Sequence, residues 1–153
     1  MKVVFLGLSI TSSWGNGHAT NYRALVRELS ERGHDVLFCE RDVPWYAAQR
    51  DLPEPPWGRT ALYDSLAQLR DEHAGDVAAA DLVVVGSFVP EGVAVAEWAM
   101  EAAGDAVAFY DIDTPVTIEK LRGGDREYLV PELVPRFDLY LSFTGGPTLE
   151  VLE

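Results

Sequence analysis

The stretch SSWGNGHAT, residues 12–20, places Gly15 and Gly17 around Asn16, with His18 directly after them. If a helix begins here, its free backbone N–H groups attract phosphate or another anion, and the glycines allow close approach. A histidine at the same point feels the positive end of the helix dipole, which favours neutral imidazole. Neutral imidazole accepts protons, and its ordinary pKa of about 6.5 suits a general base near neutral pH. A nearby carboxylate would orient such a base, and the segment FYDID offers Asp111 and Asp113. A loop histidine bonded only to its neighbours is the competing reading.

Other motifs compete for the same chemistry. Gly15 and Gly17 match the first two glycines of a dinucleotide fingerprint, but Thr20 stands where the third belongs, and seven residues separate Gly7 from Gly15. Glu40, closing the second apolar run, would take the role of the ribose-binding acid. Asp111 and Asp113 also have the D-x-D spacing that suits a divalent metal, since alternate residues of an extended segment point the same way. A second glycine turn, Thr144, Gly145 and Gly146, leads toward Pro147 and offers either N–H groups for a phosphate or only a tight turn. Trp45, Tyr46 and Trp57 flank the proline-rich loop DLPEPPWGR and are candidates for stacking on a sugar, whereas Trp98 lies on an apolar helix face.

These residues need a scaffold, and the chain spells one. Apolar, β-rich runs recur at 2–7, 35–40, 59–64, 81–87, 105–111 and 138–143, most without polar alternation, as expected of strands covered on both faces. Helical patterns lie between them. In residues 21–33, Tyr22, Leu25, Val26 and Leu29 share one face and Gly33 stands at the expected C-terminal position. Residues 65–76 and 91–104 repeat the scheme, the latter ending at Gly104. Alternating strands and helices predict an α/β, doubly wound, mostly parallel sheet of about six strands, with 1–153 forming a single Rossmann-like domain. With strand order 3-2-1-4-5-6, the binding crevice lies beyond the carboxyl ends of the first and fourth strands. Loops 8–18, 86–92 and 111–117 line it, bringing in His18, Ser87, Glu91, Asp111, Asp113 and Thr114, with 143–148 more peripheral.

Composition narrows the partners. The chain has 153 residues, 48% hydrophobic, and a net charge of -13 from 25 acids and 12 bases. Such a surface repels nucleic-acid phosphates and anionic membranes. No apolar run approaches the roughly 18 residues of a membrane span. The single cysteine, Cys39, sits in an apolar stretch, which fits a buried thiol in a reducing, cytoplasmic compartment.

The segments SSWGNGHATNYRALVREL, ERDVPWYA, FYDIDTPVT and DLYLSFTGGPTLEVLE, in this order, resemble the N-terminal domain of bacterial glycosyltransferases of the GT-B fold, and most nearly the group similar to the spore-maturation protein CgeB. The likeness runs along essentially the whole chain. It implies two Rossmann-like domains facing across a cleft, the second holding most of a nucleotide-sugar donor and the first contacting the hydroxyl acceptor. It further implies His18 as base, Asp111 or Asp113 as its partner, Gly15–Gly17 and Thr144–Gly146 near the donor phosphates, and transfer without a divalent metal. The donor-binding domain is missing from the sequence, so this chain alone is expected to be inactive. Rival expectations are a flavodoxin-like binding or signalling module with an acidic pocket at Asp111 and Asp113, a dinucleotide-binding oxidoreductase domain, and a non-catalytic partner-binding domain.

Overall fold

The computed structural model describes residues 1–152. Six strands, β1 (Lys2–Gly7), β2 (Asp35–Arg41), β3 (Arg59–Tyr63), β4 (Leu82–Gly86), β5 (Ala106–Asp111) and β6 (Leu139–Ser142), form one sheet in the order β3-β2-β1-β4-β5-β6. Every neighbouring pair is parallel. Five helices connect them: α1 (His18–Glu31), α2 (Pro44–Ala47), α3 (Leu66–Ala78), α4 (Gly92–Ala102) and α5 (Thr114–Arg122). The protein is a doubly wound, Rossmann-like α/β domain.

The two faces of the sheet are buried by different helices. Val3, Phe5, Phe38 and Val84 pack under Tyr22 and Val26 of α1. On the opposite face, Val4, Leu6, Val83, Val85 and Phe109 join Leu69 of α3 and Val95 and Trp98 of α4. Continuous apolar runs are what such two-sided burial requires, and each large side chain so buried contributes roughly 1.5–3 kcal/mol.

Local signals fix several helix ends. At the end of α1, Gly33 has φ +84°, and its N–H and that of His34 bond the carbonyls of Ser30 and Leu29, a glycine-closed helix terminus. α3 starts at Ser65, whose hydroxyl accepts from the Gln68 amide at 3.1 Å. Gly104 does not close α4 in this way. It is glycine because a Cβ there would collide with the Ala78 carbonyl.

Three features differ from the sequence expectation. β6 is not covered on both faces: Leu139 and Leu141 are 49% and 40% exposed on an edge strand of the sheet. Residues 114–117, read as part of the crevice loop 111–117, instead begin α5 (Thr114–Arg122), with Pro115 in its first turn. The turn at Gly146 leads into a short 3₁₀ segment, Gly146–Val151, where Pro147 in a first helical position predicts the start of an α-helix. Among the described residues no helix is long and apolar enough to cross a membrane.

Candidate functional site

The loop after β1 is shaped by a buried acid. Glu40 lies beside Gly7 in the β1–β2 register and is fully buried. Its Oε2 accepts from the amides of Ile10 at 2.7 Å and Thr11 at 2.9 Å, and its Oε1 from the hydroxyls of Thr11 at 2.6 Å and Ser9 at 3.1 Å. Four donors fill the acceptor sites of a carboxylate that could not otherwise be held away from water. Glu40, the candidate ribose-binding acid, is thus the anchor of its own loop. Arg23 of α1 adds a second tie: its Nε donates to the Ile10 carbonyl, and its fork grips Asp51 with two bonds of 2.8 Å. Asp51 also accepts from the amide and hydroxyl of Ser13, and these bonds, Arg23 first, hold its carboxyl well below the usual range.

The braced loop delivers residues 15–18 to the carboxyl edge of the sheet. Gly15 has φ +66°, a left-handed conformation that glycine adopts without strain. Asn16 caps α1 by accepting from the Ala19 amide at 3.1 Å, so one of the helix-start N–H groups is already occupied.

An open cavity of about 460 Å³ lies there, at the point where strand order reverses. The β1–α1 loop lines it with Leu8 and Gly15–His18, α2 with Tyr46, the β4–α4 loop with Phe88, and the β5–α5 turn with Ile112 and Asp113. His18 is only 8% exposed, and its Nδ1 is buried without a hydrogen-bond partner. The ring meets Phe88 edge-on at 5.3 Å. Burial pushes the His18 pKa below 6.5, and the negative charges of Asp113 and Asp111 only partly offset it. The imidazole is therefore neutral at pH 7, the form that accepts a proton.

The two candidate acids have different surroundings. Asp113 lines the cavity with His18. Asp111 is fully buried, with Oδ1 accepting from the Thr117 hydroxyl at 2.8 Å and Oδ2 from the Tyr140 hydroxyl at 2.6 Å. Burial, and then the bond to Asp111, raises the Tyr140 pKa, so its proton stays on the phenol. The Asp111 carboxylate is thus held in a buried hydrogen-bond network, whereas Asp113 meets that network only through its backbone carbonyl, which accepts from the Thr117 hydroxyl at 3.3 Å.

The remaining candidates scatter. Thr144, Gly145 and Gly146 do not line the cavity; the Thr144 amide bonds Ser142, and Gly146 opens the 3₁₀ segment at φ +64°. Ser87 accepts from the Ile112 amide through its hydroxyl, Thr114 bonds Ser142, and Glu91 pairs with Arg41. Tyr46 reaches the cavity, Trp45 is exposed, and Trp57 packs against the α1 cluster.

Phe88 is the wall residue that the motifs do not announce. It has φ 64°, and Glu91 in the same loop φ 56°. The left-handed region costs a side-chain-bearing residue about 1–2 kcal/mol. In the sequence SFVPEG, only the position of Phe88 two residues beyond Gly86, on a strand-end loop, pointed toward the crevice.

No protein-family profile matches the chain, and no curated protein matches it in sequence. The functional reading accordingly stands on the cavity, its chemistry and the resemblance in its motifs.

Proposed function

We propose that this chain is the acceptor-side domain of a two-domain glycosyltransferase, moving a sugar from a nucleotide-sugar donor to a hydroxyl. One observation carries the reading: a nearly buried His18 with an unpartnered Nδ1 shares a 460 Å³ cavity with Asp113 at the topological switch point. The GT-B-like motifs support it.

In the proposed reaction the acceptor hydroxyl enters the cavity and gives its proton to His18 as its oxygen bonds the anomeric carbon. The bond from that carbon to the donor phosphate breaks, and a nucleoside diphosphate leaves. Asp113 stabilises the imidazolium as it forms, the role of the carboxylate in a histidine–acid pair. No metal is given a part in this scheme. Among the described residues no lysine or arginine lines the cavity, and the GT-B resemblance implies that a second domain would hold the donor diphosphate. The buried Cys39 thiol, its pKa pushed up to about 12 chiefly by burial, is unreactive and fits a cytoplasmic protein.

The test is release of nucleoside diphosphate by the longest product of the gene, supplied with panels of nucleotide sugars and hydroxyl acceptors. His18→Ala should lower turnover about 10²-fold or more. A near-normal rate would assign the base elsewhere, and no transfer with any donor would remove the glycosyltransferase reading.

A further inference from the structure

The charge layout around the cavity bears on which acceptor it takes, an inference that rests on the acceptor reading above. The arginines at this edge are spent within the protein: Arg23 on Asp51 at 2.8 Å, Arg50 on Asp42 at 2.7 Å, and Arg41 on Glu91. Asp113 is different. It is an exposed residue of the cavity lining, and among the described residues its carboxylate makes no side-chain hydrogen bond or ion pair. Asp113 and Asp111 are also the charges that His18 feels. Two aromatic side chains, Tyr46 and Phe88, complete the wall.

We propose that the cavity selects an acceptor carrying both an ammonium group and a hydroxyl, the ammonium held by Asp113 and the aromatic rings and the hydroxyl presented to His18. A cation gains from a carboxylate and from aromatic faces together. The start of α1 opposes it with about half a positive charge. That opposition is reduced, because Asn16 already takes the Ala19 amide, and it faces a full negative charge on Asp113. An anionic acceptor would find no unpaired arginine at this edge and an unpaired carboxylate in its way. The net charge of -13 adds to the same bias.

Three para-substituted phenols test this, one cationic, one neutral and one anionic: tyramine, 4-ethylphenol and 3-(4-hydroxyphenyl)propanoate. Each is titrated into the chain at pH 7.5 and low salt while the His18 imidazole and Asn16 side-chain signals are followed by NMR. Tyramine should shift both signals and bind about five- to tenfold more tightly than 4-ethylphenol, with the propanoate weakest. Asp113→Asn should abolish that order, and Asp113→Glu should retain it. Equal affinities, or an order that survives Asp113→Asn, would overturn the charge selection and leave the acceptor cavity standing. Failure of all three probes to reach His18 would overturn the acceptor reading and this inference with it.

Discussion

Glu40, on the second strand, holds the Ile10 amide at 2.7 Å in the loop that follows the first strand. The same carboxylate binds Thr11 twice and Ser9 once, so a single side chain sets the path that ends at His18. Removing it strands buried donors rather than merely deleting one contact. Glu40→Ala should destabilise the chain by about 3–5 kcal/mol in urea unfolding, with Glu40→Gln falling between it and the parent. A loss under 1 kcal/mol would show that the loop holds itself.

The protonation of His18 follows from its burial. An NMR titration should place its pKa below 6.5, and Asp113→Asn should lower it further by removing the largest opposing charge. Because the folded pKa lies below the unfolded one, the folded chain binds fewer protons. The stability contributed by the neutral ring is whole above pH 6.5 and erodes as pH falls from there toward the folded value. His18→Asn should flatten that part of the pH dependence.

Gly86 faces Tyr22 too closely to carry a side chain, since a Cβ would collide with the phenol oxygen. Gly86→Ala should cost about 1–3 kcal/mol, the range for forcing an atom into a packed interior. Tyr22→Phe removes the oxygen concerned, so the double variant should recover part of the loss. A double-mutant cycle with no coupling would contradict the contact.

The left-handed backbone of Phe88 can be read from two substitutions. Both Phe88→Ala and Phe88→Gly lose the ring, but only glycine escapes the steric cost of φ 64°. The glycine variant should be more stable than the alanine variant by about 1 kcal/mol, the reverse of their order in a helix or strand. The usual order would mean that the loop relaxes once the ring is gone.

The strands were legible because Val3–Leu6 and Val83–Val85 are buried on both sides, and unbroken apolar runs record that directly. The alternation of elements implies a parallel, doubly wound sheet; the order 3-2-1-4-5-6, on which the crevice depends, is the usual arrangement of that class and not something these residues spell out. α5 was not legible: Thr114, Pro115, Val116 and Thr117 read as loop or strand, and Pro115 belongs to a helix only because it falls in the first turn. Of the cavity residues, His18 stands out in the sequence by its type at a helix start, and Asp113 by its type at a strand end, where Asp111 is an equal candidate. That Asp111 answers to Thr117 and Tyr140, and that Glu40 holds residues 9–11, depends on side chains 29 to 31 positions apart for the longest of these bonds. No local pattern encodes such pairings. Phe88 escaped because its backbone conformation, not its residue type, brings it to the wall.

Tyr140 belongs to the outermost strand, yet its hydroxyl stoppers Asp111 at the heart of the molecule. The periphery therefore acts as a brace for the centre. Fraying of that border would take one of two donors from a carboxylate whose charge already reaches the imidazole, so a disturbance that begins at the rim would register as a change in how readily the histidine takes up a proton.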